Sequence, residues 1–216
     1  MIAAKAYREK GYAHLPGFLP PAVGRAFLFQ LQSDLARGGV ALASIRQESP
    51  LLRQAAIEVY GYHYAPMITL LWGMTPAIRA LVGHDLLPSY SYFRIYRRGD
   101  ICRVHSDRPA CEHSLSLTLA YSDDLPWALE IGAAHVAEPR AMADPDFGGA
   151  AHDAVEMAPG DAVLYQGVHR HHGRTTPNPN RWSAHLFLHW VDPAGPYADA
   201  AFDGRQVPGR VDFLPA

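Results

Sequence analysis

Between Ser114 and Tyr121 the chain reads Ser-Leu-Ser-Leu-Thr-Leu-Ala-Tyr, so Leu115, Leu117 and Leu119 alternate with Ser114, Ser116 and Thr118. A period of two belongs to a strand with one apolar face. Further strand-like runs surround it. Ser89 to Tyr96 is rich in aromatic and β-branched residues and ends at the turn Arg98-Gly99-Asp100. Ile101–His105, Trp127–Ile131, Val155–Met157 and Ala162–Tyr165 continue the series, and Trp182–Val191 is a long apolar final strand. Many short strands punctuated by Gly and Pro turns imply a sandwich or barrel.

The first third reads differently. After Pro20-Pro21, apolar residues at Val23, Phe27, Leu28, Leu31 and Leu35 form one helical face, which Gly38-Gly39 terminates. Leu51–Tyr60 and Ala65–Val82 are read as two more helices. Pro66 suits a first turn, Pro76 should kink the last helix, and Gly83 closes it. The expected fold is mainly β with α, a double-stranded β-helix (jelly roll, cupin-like) with the N-terminal helices packed outside. Residues 1–87 would be helical support, 88–192 the β core and 193–216 a tail wrapping the surface. Together they would make a single domain.

Composition narrows the function. The 216 residues are 49% hydrophobic and 19% charged, enough for one domain with a sizeable core. A net charge of -2 leaves no broad cationic surface for a phosphate backbone, which argues against nucleic acid as a partner. The N-terminal stretch lacks the apolar segment of a signal peptide. The apolar run Met67–Met74 is less than half of the roughly 20 residues that span a bilayer, so no membrane association is expected. Two cysteines, Cys102 and Cys111, cannot build a disulfide framework, and a reducing cytoplasm is the simplest location.

Chemistry enters at His105-Ser-Asp107. With 12 His and 21 acidic residues, about one His-x-acid triplet arises by chance, so the triplet alone carries little weight. Its context carries more. The two side chains end a strand at period two and so share a face. Gly160-Asp161 introduces the strand Ala162–Tyr165, which leads to a His-rich segment with His169, His171 and His172, any of which could supply a third ligand. Two imidazoles and a carboxylate suit a non-haem ferrous centre with open positions. Arg181 and Ser183 share one face of the final strand, and a guanidinium fork with a hydroxyl suits a carboxylate.

The set Tyr96, Gly99, His105-Ser-Asp107, Pro159-Gly-Asp161, His172 and Arg181 resembles the prolyl-4-hydroxylase-like branch of the 2-oxoglutarate/Fe(II)-dependent dioxygenases over roughly residues 88–192. The resemblance implies His105, Asp107 and His172 as iron ligands, His172 being favoured because it stands two residues before Arg174. It implies Arg181 on the far carboxylate of 2-oxoglutarate, helped by Ser183 and Tyr96, with Thr118 a weaker candidate. Tyr92, Arg94, Arg108 and Trp127 are the expected substrate contacts, with Arg103 and Glu112 behind them. The implied cofactors are Fe(II), 2-oxoglutarate as cosubstrate and O2. The implied reaction is hydroxylation of a C–H bond of a small molecule or amino acid, with release of succinate and CO2. The alternatives are a peptidyl (prolyl-type) substrate and a non-oxidising cupin-like metal-binding protein. A loop over Ala134–Ala154 is expected beside the pocket.

Overall fold

The computed structural model describes residues 2–137, 139, 143–204, 209 and 213. Three helices, α1 (Ile2–Lys10), α2 (Pro21–Arg37) and α3 (Ala65–Val82), accompany eleven strands. The first five strands are β1 (Tyr12–Leu15), β2 (Arg46–Gln47), β3 (Ala56–Tyr60), β4 (Leu87–Arg97) and β5 (Cys102–His105). The next three are β6 (His113–Tyr121), β7 (Leu129–Gly132) and β8 (His152–Val155). The last are β9 (Ala162–Tyr165), β10 (His172–Arg174) and β11 (Trp182–Val191). A seven-stranded sheet runs β1-β9-β6-β11-β4-β3-β2 and a four-stranded sheet runs β5-β10-β7-β8, antiparallel throughout. This is the expected double-stranded β-helix.

The alternation that announced the sheet also orients it. Leu115, Leu117 and Leu119 of β6 pack in one buried cluster with Leu186 and Leu188 of β11, Phe27 and Leu31 of α2, and Met67, Leu71 and Ile78 of α3. The apolar face of the large sheet therefore lies under the helices. Gly24 makes this docking close: a Cβ there would stand 3.5 Å from the Leu119 carbonyl. The opposite parity carries Ser114, Ser116, Thr118, Ser183, His185 and His189, all buried, between the two sheets. Burying polar side chains costs free energy unless they are paired, so an interior this polar is shaped for something other than packing.

Two turns place the site. Gly99 (φ 78) carries the chain from β4 in the large sheet to β5 in the small one. Asp100 anchors that corner by accepting backbone N–H bonds from Arg53, Gln54 and Ile101. Gly160 (φ +96) forms the turn before β9, where a Cβ would collide with the Leu19 carbonyl.

The N-terminal third departs from expectation. Leu51–Tyr60 is not a helix; its second half is β3, with Ala56 and Glu58 buried and Glu58 opposite Arg94. Ile-Glu-Val-Tyr satisfies period two once β4 offers an edge. Helix α1 falls in the stretch expected to be mostly helical, whereas edge strand β1 was not anticipated. Helix α3 is long and apolar enough to cross a bilayer by composition, and it buries Met67, Leu71, Ile78 and Val82. Pro76 lies within it without ending it. Of the tail, Ala198–Gly204 folds as 3-10 turns beside β4, and residues 205–208, 210–212 and 214–216 lie outside the described residues.

Candidate functional site

His105 ends β5 and His172 begins β10, and the two face each other across the antiparallel pair. Their ring centroids are 4.4 Å apart. Asp107 follows β5, and its backbone N–H donates to the Gly167 carbonyl at 2.9 Å. Asp107 Oδ1 then lies 3.6 Å from His105 Nε2 and 3.5 Å from His172 Nε2. Donors each about 2.1 Å from one ion stand about 3–3.5 Å apart at tetrahedral to octahedral angles, so these atoms fit a single small metal. His105 Nδ1 bonds the Arg103 carbonyl and His172 Nδ1 the Arg170 carbonyl, both at 2.8 Å. An Nδ1–H donated to a carbonyl leaves the Nε2 lone pair for the metal. His169 and His171 are not in this group; His169 Nδ1 bonds the Val136 carbonyl and its ring stacks on His135.

The three groups bias one another's protonation. Burial alone would raise the Asp107 pKa, but the His172 and His105 imidazoles bring it well below the usual carboxylate range. Burial opposes a charge on His172, yet Asp107 lifts its pKa above the usual value. Burial and His172 lower His105. A divalent cation would hold the carboxylate ionised and both imidazoles neutral, so protons and metal compete for the same atoms. Gly167 makes room, since a Cβ there would overlap Asp107 Oδ2, the Cys111 carbonyl and Ser114 Oγ.

The triad opens into a cavity of about 600 Å³ between the sheets. Of the residues singled out from sequence, Tyr92, Arg94, Tyr96 and Arg108 line it. So do Pro139 and Ala143 from the expected loop, whose Asp144 pairs with Val104; residues 138 and 140–142 of that loop lie outside the described residues. Arg94 is already compensated, with Nε and Nη2 on Glu58 Oε1 at 2.7 and 2.6 Å. Its Nη1 donates to the Tyr96 hydroxyl at 3.0 Å. That leaves the Tyr96 proton free to point into the cavity, and burial raises the Tyr96 pKa so that the proton is retained.

Arg181 is a correction. Its side chain is 71% exposed, its Nε bonds Asp123 Oδ1 at 3.1 Å, and it does not line the cavity. The strand begins one residue later, at Trp182, so Arg181 falls on the sheet rim and the acidic loop captures it. Ser183 and Thr118 are buried behind the cavity wall. Ser183 Oγ accepts from Asn178 Nδ2 at 3.0 Å, and Thr118 Oγ1 meets His185 Nδ1 at 3.3 Å. Trp127 is a support too, its Nε1 donating to the Thr176 carbonyl at 2.7 Å. Arg103 binds the Pro50 and Leu52 carbonyls, and Glu112 accepts the Asp192 N–H.

The cavity residue whose role the sequence reading did not assign is Arg174. It lies on β10 two positions past His172, so both side chains point the same way and their Cα atoms are roughly 6.6 Å apart. The guanidinium lines the cavity, is 1% exposed and sits 4.9 Å above the Trp127 ring. It donates to the Trp127 carbonyl, and among the described residues it forms no ion pair with a carboxylate. A buried cation without a counter-ion is costly unless an anion completes it. His185, beside Tyr96 and Trp127, stays neutral because burial, Arg174 and Arg94 hold its pKa well below the usual value.

No family model matches the chain, and no curated protein matches it in sequence. Solved structures do match. The non-heme alpha-ketoglutarate-dependent carbocyclase SnoK from nogalamycin biosynthesis superposes with a TM-score of 0.67 at 16% identity, over 88% of this chain and 83% of that one. HygX from Streptomyces hygroscopicus, solved with nickel, 2-oxoglutarate and hygromycin B bound, gives 0.63 at 12% identity over 88% and 86%. A Pseudomonas putida prolyl-4-hydroxylase gives 0.58 at 15% identity over 87% and 97%. The chain therefore has the double-stranded β-helix fold of the 2-oxoglutarate/Fe(II) oxygenases.

Proposed function

We propose that this protein is an Fe(II)- and 2-oxoglutarate-dependent dioxygenase that hydroxylates a C–H bond of a small molecule or amino acid. The observation that carries the reading is the shared cavity: a two-His, one-carboxylate set and, one strand repeat away, a buried guanidinium lacking an anion. A metal-binding protein without a cosubstrate has no use for that cation. A cavity of about 600 Å³ between the sheets favours a small substrate over a folded polypeptide. Two free, buried cysteines suit a reducing cytoplasm.

The donor set fits iron: His105 and His172 through Nε2 and Asp107 through a carboxylate oxygen would cap one face and leave the other open. When bound, Fe(II) supplies the oxidative chemistry that couples decarboxylation of 2-oxoglutarate by O2 to C–H oxidation, giving succinate, CO2 and an alcohol. The chain supplies placement. Arg174, backed by Trp127, receives the distal carboxylate in a bidentate grip, and Tyr96 donates its hydroxyl proton to the same group. Their distance from the triad sets the length of acid accepted. Arg94, held by Glu58, fixes Tyr96. The aromatic wall of Tyr92 and Phe187 excludes water from the open face.

The test is succinate formation. Aerobic incubation with Fe(II) and 2-oxoglutarate should yield slow, iron-dependent succinate without added substrate, and none in His172→Ala. Succinate formation that survives in His172→Ala, or is absent from iron-loaded wild-type protein, would overturn the proposal.

A further inference from the structure

Among the described residues three arginines line the cavity. Glu58 neutralises Arg94, and Arg174 is placed on the cosubstrate. Arg108 remains. It follows Asp107 directly in the chain, and its guanidinium lies 4.2 Å over the Tyr90 ring. Tyr90 in turn stacks on His189 at 4.5 Å and lies 6.0 Å from Tyr92, in a stack continued by Phe187 at 4.7 Å from Tyr92. Ring faces therefore lead from Arg108 into the cavity beside the triad.

The partner Arg108 has is unusual. Its Nη2 lies 2.7 Å from Asp203 Oδ1, on the C-terminal turn Ala198–Gly204. Phe202 (φ 54) and Asp203 (φ 59) both occupy the left-handed region, which Asp tolerates but in which a bulky Phe is strained. Both residues line a small cleft that shares Tyr90 with the main cavity. A strained segment thus presents one carboxylate to a half-exposed arginine at the cavity wall. The arginine side of the pair is half open to water, which lowers the cost of exchanging one anion for another on it.

We infer that Arg108 is the receptor for an anionic group on the substrate, and that Asp203 occupies this receptor until the substrate's anion replaces it. The inference rests on the oxygenase reading and narrows its substrate class to an organic acid with a flat or apolar body fitted to Tyr90, Tyr92 and Phe187. A carboxylate on Arg108 would pin the substrate beside Asp107, with its body across the open face of the triad. Release of Asp203 would let the strained Phe202 relax.

The experiment uses the full chain loaded with Ni(II) and saturating 2-oxoglutarate. Binding of a panel of aryl and alicyclic carboxylic acids, each paired with its primary amide, is measured by calorimetry. At least one acid should bind about tenfold or more tightly than its amide, as a charge-assisted contact implies. Arg108→Gln should erase that gap. Asp203→Asn should tighten the acid severalfold and leave the amide unchanged, a gain that no folding defect produces. Acids and amides binding alike throughout the panel, or an acid affinity unmoved in Asp203→Asn, would overturn the inference. The thermal shift induced by 2-oxoglutarate is recorded in parallel. Its absence alongside an intact acid–amide gap would refute the cosubstrate reading and leave Arg108 standing.

Discussion

Replacing Arg174 with Met separates the cosubstrate clamp proposed from the fold from the one the sequence suggested. Met keeps an unbranched apolar stem over Trp127 and removes the charge. In the free protein the guanidinium is 1% exposed with no carboxylate beside it, so its loss should cost little stability, and Arg174→Met should melt at or above the wild-type temperature. In the complex the same change strips a buried dicarboxylate of its counter-ion. Removing one partner of a buried, hydrogen-bonded charge pair costs about 3–5 kcal/mol, so the Kd for 2-oxoglutarate should rise by at least ~10²-fold. Arg181→Ala is the paired control: its side chain is 71% exposed on Asp123, and the Kd should change less than about twofold. The assay is calorimetric titration of Ni(II)-loaded protein with 2-oxoglutarate, where nickel prevents turnover. A large loss in Arg181→Ala with a near-normal Arg174→Met would refute the assignment and restore the rim arginine.

Two other perturbations follow from the same geometry. Gly167→Ala would push a methyl into Asp107, the Cys111 carbonyl and Ser114, displacing the carboxylate from the imidazoles; metal affinity, read by competition with a chelating dye, should fall at least ~10-fold, in the range seen when groups supporting metal ligands are disturbed. Acid should unfold the protein early. Burial lowers the pKa of His113 to about 3 and that of His189 to about 4, so between the ordinary value near 6.5 and these values the unfolded chain binds protons that the folded chain refuses. Stability present above pH 6.5 is lost as pH falls through this window, by about 2 kcal/mol per histidine at pH 5, and urea titrations at pH 7.5 and 5 should register it.

The sequence was readable where one element obeys one period. The β6 alternation, the long β11 and the helices around Phe27 and Leu71 fall where patterning placed them. The His105-Ser-Asp107 pair was legible because two residues at period two must share a face. His172 needed the fold, because the short strand β10 in a His-rich segment fixes which imidazole turns inward. Leu51–Tyr60 failed because a short apolar run is compatible with helix or strand, and only the edge of β4 decides. Arg181 failed by one position: a strand that starts at Trp182 leaves the preceding residue on the rim, within reach of Asp123. Arg174 entered the sequence reading only as the marker that favoured His172, although its spacing from His172 already put both on one face.

In the proposed function one cavity holds a metal and a chelating 2-oxo acid together. Anaerobic titration of the apo-protein with Fe(II) and then 2-oxoglutarate, followed in the visible, tests it directly. Wild-type protein should develop a charge-transfer band of the iron–2-oxo acid chelate, absent in Asp107→Ala and reached only at much higher 2-oxoglutarate in Arg174→Met. Bound iron with no band at saturating 2-oxoglutarate would contradict the proposed function.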